Sequence, residues 1–179
     1  MNIKTGEEKV MKDAGGSVLA GEYLRELESE VAATRGCLEV VPMGEPGWKP
    51  HERSMELGYM AQLVSDMPRW ITYAIEKGEV DFETYPVFKG ESAEEIVRHF
   101  DECVEGAKTA LGALMDEGLE KKFRLRHGEK VLSEQSVRET IGSTINHMVH
   151  HRGQLTVYLR MLDQKLPSIY GPSADSGGF

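Results

Sequence analysis

Only two cysteines, Cys37 and Cys103, occur in 179 residues, and they make no CxxC spacing. That excludes a disulfide scaffold and a thioredoxin-like redox motif, and it fits a reducing, cytoplasmic setting. Both fall in stretches of helical periodicity, where they read as small buried hydrophobes. Basic residues are also in short supply, with 21 Lys and Arg against 30 Asp and Glu and a net charge of −9. With no basic stripe to neutralise a phosphate backbone, nucleic acid is excluded as a generic partner. Long apolar runs are missing as well. None approaches the ~20 residues that span a bilayer, which excludes a membrane-spanning role. The opening MNIKTGEEKVMKDAGGS has no apolar stretch of the kind a secretory leader carries, so residues 1–18 are expected to form a mobile arm. No P-loop, nucleophile elbow or dinucleotide-binding glycine pattern is present.

What remains is enough apolar material for one core, distributed in four segments of helical period. The first runs from Gly21 to Val41, carries Tyr23, Leu27, Val31, Thr34, Leu38 and Val41 inward, and stops at Pro42; its run ELESE is expected to face solvent. The segment PMGEPGWKPHER follows as an ordered loop crossing the bundle, because Trp48 gives it something to bury. A second helix from about Ser54 carries Met60, Leu63, Val64 and Met67, and Pro68 is expected to kink it or end its first half. The polar stretch EKGEVDFETYPVFKGE reads as a loop. The signatures SAEE at Ser92 and Glu95, and Ser136 with Glu139, are capping boxes that open the third and fourth helices. Between those two, KFRLRHGEKVLS alternates around His127-Gly128 and reads as a short hairpin. The expected fold is therefore all-α: a four-helix bundle over residues 19–179, with a long crossover loop and a short extended excursion before the last helix.

The candidate chemistry lies in INHMVHHRGQLTVYLRML. At about 100° per residue His147 and His151 share one helix face, which also carries Thr144, Met148, Leu155, Tyr158 and Leu162, so the pair is expected to point into the bundle. His150 falls at the edge of that face. Imidazoles one turn apart can bind one divalent ion, and they can equally be core histidines satisfied by neighbouring hydroxyls or carbonyls. Gln154 is placed to orient His151 or to serve as a helix-boundary amide. Asp66, beside Arg69, reads as a solvated acid or a distant ligand. Tyr59 and Tyr158 either bring hydroxyls to the histidines or fill volume.

Taken in order, TRGCLEVVP, WKPHERSMELGYM, MPRW, NHMVHHRGQLTVYLRML and PSIYGPSAD resemble the DinB/YfiT-like superfamily. The resemblance implies a bundle, often dimeric, with a divalent ion (Zn, Ni, Mn or Fe) held by one histidine of helix two and two of the last helix. His147 and His151 match the latter two. The helix-two position, seven residues before the tryptophan of MPRW, is Leu63, which cannot ligate a metal, and neighbouring Gln62 points about 100° away. Members of the superfamily include thiol-dependent transferases, in which a bound metal activates a low-molecular-weight thiol. Three readings follow: a metal-dependent transferase or hydrolase-like enzyme in which Asp66 or another group stands in for the missing histidine, a metal-free module that binds a small molecule or serves a stress response, or a structural relic whose fold serves association.

Overall fold

The computed structural model describes residues 16–176. Its elements in chain order are α1 (Val18–Glu39), α2 (Leu57–Glu76), β1 (Glu79–Asp81), α3 (Ala93–Gly112), α4 (Asp116–Leu119), β2 (Lys122–His127), β3 (Lys130–Ser136) and α5 (Val137–Met161). Residues 1–15 of the expected arm lie outside the described residues. Ser17 and Val18, its last part, instead cap and open α1: the Ser17 hydroxyl accepts the Ala20 N–H at 3.3 Å.

The four long helices pack as expected for their apolar stripes, with α1 and α2 each against both α3 and α5. α1 and α2 are thus diagonal, which is why a seventeen-residue connection separates them. That connection is ordered by Trp48, whose ring meets Tyr158 edge-on with centroids 5.5 Å apart, and whose carbonyl accepts the Leu57 N–H at 2.8 Å. The core between the helices is built from Leu27, Leu38, Leu57, Met60, Met67, Ile71, Phe100, Ile141, Ile145 and Leu155. Pro68 lies within a continuous α2 and is itself buried, so the apolar surface it contributes offsets the hydrogen bond its missing N–H forgoes.

The fold is not purely helical. A three-stranded mixed sheet of order β1-β2-β3 packs on one side of α2. The hairpin expected at His127-Gly128 is β2–β3, and the stretch read as a loop supplies β1, parallel to β2 with Val80 opposite Leu125. Val80, Phe123 and Ala74 form a small core of their own, covered by Trp70, Tyr73 and Tyr85. Three residues without a period carry no strand signal, so only a partner about forty-five residues downstream makes β1 a strand. Gly128 turns the hairpin at φ 56°, and a side chain there would collide with the Glu83 carboxylate.

Ser136 ends β3 and caps α5 with both bonds of a capping box, reciprocated by Glu139. The box expected at Ser92 is half formed: Ser92 accepts from Glu95, while the Glu95 carboxylate accepts from the Glu91 N–H. One part of the ELESE run is not solvated. Glu30 is buried against Arg152, which is 1% exposed, at 2.5 Å; Arg152 also donates to Thr34 and to the Tyr170 hydroxyl, which itself contacts Glu30. This closed cluster ties α1, α5 and the C-terminal segment together.

Candidate functional site

The last helix presents His147 and His151 one turn apart, and their Nε2 atoms lie 2.8 Å from each other. His151 is 8% exposed, and its Nδ1–H donates to the Gln154 Oε1 at 2.7 Å. That bond fixes the tautomers: Nε2 of His151 accepts from Nε2–H of His147, which leaves Nδ1 of His147 as the free lone pair of the relay. Partial desolvation against the cleft wall, then the neighbouring rings of His151 and His150, hold His147 below the ordinary imidazole value, so it is neutral at pH 7. The pair does not point into the bundle as a unit. His151 is interior, whereas His147 is exposed on the wall of a cleft, because the sheet rather than a fourth helix faces that part of α5.

The cleft has a volume of about 380 Å³. Trp70 of α2, Phe82, and Phe123 and Leu125 of β2 form an apolar wall; Gln135, Thr144 and His147 stand among the polar groups opposite. Trp70 and Phe82, 5.9 Å apart, separate it from a smaller cavity of about 160 Å³. Tyr59, 55% exposed, together with Gln62, Leu63 and Asp66 lines that smaller cavity, so these candidates are gathered with one another rather than with His147 and His151.

Asp66 is the largest departure from expectation. It is buried, not solvated, because α3 and the segment after β1 close over it. Its Oδ1 accepts from Arg69 Nη2 and lies 2.7 Å from His99 Nε2, while its Oδ2 accepts from the Tyr85 hydroxyl, also at 2.7 Å. Burial alone would raise the carboxyl, but the hydrogen bonds from His99 and Tyr85 and the Arg69 guanidinium outweigh it and hold Asp66 below the usual carboxylate range. Burial, then Asp66, pushes the Tyr85 phenol up. His99 stacks on Phe88 with ring centroids 3.7 Å apart, and its Nε2 is 3.4 Å from Cys103 Sγ. Burial and the Asp66 charge push the Cys103 thiol up to about 12, so it is protonated at neutral pH. Because one ring nitrogen faces both the acid and the thiol, the three cannot act as a Cys-His-Asp relay, which needs both imidazole nitrogens. They are instead three donor atoms within 4.8 Å of one another. His99 was not among the expected residues, although its spacing to Cys103 repeats that of His147 to His151.

The DinB family model matches residues 20–177. The chain belongs to the DinB family. Among solved structures, a DinB-like protein from Bacillus subtilis matches with a TM-score of 0.65 at 19% identity, over 83% of this chain and 97% of that one. A DinB-like protein from Bacillus cereus ATCC 10987 matches with a TM-score of 0.63 at 22% identity, over 84% and 97%. These likenesses establish the DinB fold. A search of curated proteins finds no match.

The DinB resemblance implies an ion on three histidines, and the donors present do not fit it. His147 and His151 offer two nitrogens, while Leu63 offers hydrocarbon. Among the described residues no further His, Cys, Asp or Glu completes a three-donor group with the pair. Asp66, the expected substitute, stands beside His99 on the wall of the smaller cavity rather than with the pair.

Proposed function

We propose that this DinB-family protein binds a small organic molecule in the cleft between α2, the sheet and α5, with His147 as its proton-accepting group, and that the histidine pair acts there without the family's ion. The observation that carries this reading is the closed relay from Gln154 through His151 to His147, which leaves one neutral imidazole on a cleft wall with aromatic rings opposite. Such a cleft suits a flat, largely apolar molecule with one hydrogen-bonding edge. A hydroxyl or thiol on that edge would donate to the imidazole.

Two measurements on the full chain test it. Nuclear magnetic resonance titration with aromatic fragments bearing a hydroxyl or thiol is expected to shift the Trp70 indole, and binding is expected to weaken at least about tenfold in Ser143→Trp, which fills the cleft, and in Trp70→Ala. Fragments that bind elsewhere, or with affinity indifferent to both changes, overturn the reading. Calorimetry with Zn²⁺ and Ni²⁺ is expected to show no site that depends on His147 and His151 in the wild type. Stoichiometric metal in the wild type that His147→Ala and His151→Ala both remove would sink the metal-free assignment.

A further inference from the structure

Asp66 of α2 and His99 and Cys103 of α3 bring an oxygen, a nitrogen and a sulfur to one point inside the helices, away from the histidine pair of α5. His99 and Cys103 are one turn apart on the same face of α3, so the helix itself sets their separation. Asp66 reaches them from the facing helix, an arrangement that bundles commonly use to build metal centres. Of the three, Asp66 and Cys103 are buried and His99 is half-buried.

The surroundings are those of a supported ligand set. Tyr85 donates to one Asp66 oxygen and Arg69 to the other, which fixes the carboxylate plane, and Phe88 clamps the His99 ring. Carboxylates and imidazoles that ligate metals are usually held by outer partners of this kind. Asp66 also stands on the wall of the 160 Å³ cavity, which His99 and Cys103 do not line.

We propose that Asp66, His99 and Cys103 form a binding site for a thiophilic divalent cation of the zinc class. One oxygen, one nitrogen and one sulfur donor favour that class over magnesium or calcium, which take oxygen alone. Around a tetrahedral ion with bonds of about 2.0 Å to nitrogen and oxygen and about 2.3 Å to sulfur, the donor atoms sit roughly 3.3–3.6 Å apart. The Cys103 to His99 separation of 3.4 Å already meets this, and the Asp66 to His99 separation of 2.7 Å opens as the hydrogen bond between them is exchanged for two metal bonds. The cation displaces the Cys103 thiol proton to solvent and forms a metal–thiolate bond, and the Nε2 proton that His99 donates to Asp66 is given up to solvent while Nδ1 takes one, so that the neutral ring coordinates through Nε2. Arg69 stays on Asp66 as a donor, so the site works beside a fixed positive charge. The proposal stands independently of the cleft reading.

Cobalt titration of the chelator-stripped full chain tests it. The expected result is one equivalent of tetrahedral Co²⁺ with a thiolate-to-metal charge-transfer band, displaced by Zn²⁺. The band is expected to vanish in Cys103→Ser, to need at least tenfold more cobalt in Asp66→Asn, and to persist in Cys37→Ser and in the His147→Ala/His151→Ala double variant. Absence of the band, its survival in Cys103→Ser or its loss in the double histidine variant overturns the site. X-ray absorption at the zinc edge of the wild-type protein needs no variant. One sulfur in the zinc shell supports the assignment, and a shell of nitrogen and oxygen only overturns it.

Discussion

Glu30 and Asp66 are both buried carboxylates paired with a guanidinium, the buried Arg152 in the first case and the half-buried Arg69 in the second, and each is completed by a tyrosine hydroxyl, Tyr170 and Tyr85 respectively. The first joins α1 to α5 and to the C-terminal segment, none of its members touches the cleft or the smaller cavity, and its hydrogen bonds are spent on one another. The second pairs two residues one turn apart on α2, so the ion pair itself holds nothing distant together. Its long-range partners are His99 and Tyr85, and Asp66 opens onto a cavity. Similar groups in a similar dielectric thus serve as a clamp in one place and as a prepared donor set in the other, according to what each carboxylate has left to bind.

The sharpest way to break the comparison is to remove one partner from each pair. Arg152→Ala strands Glu30 in the interior and is expected to cost about 3–5 kcal/mol in urea unfolding, because an uncompensated buried charge is left behind. Arg152→Met with Glu30→Leu is expected to recover most of that loss. If the double variant is as unstable as the single one, the cluster is more than a charge-compensated clamp. Asp66→Asn keeps the shape and one acceptor, and is expected to cost about 1–3 kcal/mol, mainly through weaker bonds to His99 and Tyr85. Tyr170→Phe and Tyr85→Phe remove one hydroxyl each and are expected to cost about 0.5–1.5 kcal/mol, with Tyr85→Phe alone altering cobalt affinity. Equal effects of both on cobalt would erase the distinction.

Acid titration sharpens it further. The folded state holds Asp66 below its ordinary 3.8, so its contribution is fully present above that value and is lost as pH falls through 3.8 toward the lower folded value. The stability gap between wild type and Asp66→Asn is therefore expected to close below pH 3.8. His147 gives the smallest effect. Its folded value lies below 6.5, so the unfolded chain binds the proton more readily and stability falls as pH drops below 6.5. His147→Gln is expected to flatten that slope, measured as the midpoint shift between pH 7 and pH 5.5.

The helices and the crossover loop were legible because they rest on local chemistry: apolar period, caps and one tryptophan. The capping box at Ser136 is a case where the spacing alone predicts both bonds. What was not legible depends on distant chain. Glu30 reads as one acid among several in ELESE, and only α5, more than a hundred residues later, turns it inward. Asp66 reads as solvated for the same reason, since Tyr85 and His99 that bury it lie on other elements. A signal for His99 did exist in its spacing to Cys103, but a thiol at one end of the pair disguised it. At α5 the helical period correctly marks the face shared by His147 and His151, yet it cannot say that a sheet would replace a helix opposite that face.

Ser136 is both the last residue of β3 and the cap of α5, so no slack separates strand from helix. Phe123, Leu125 and Gln135 on the sheet and Thr144 and His147 on the helix therefore belong to one stiff plate, and α2 with Trp70 is the other jaw. The corner at Lys77-Gly78, where Gly78 has φ 71°, carries the chain from α2 into β1 at the edge of the sheet. One inserted residue after Ser136 would uncouple the plate while leaving every residue of the wall in place.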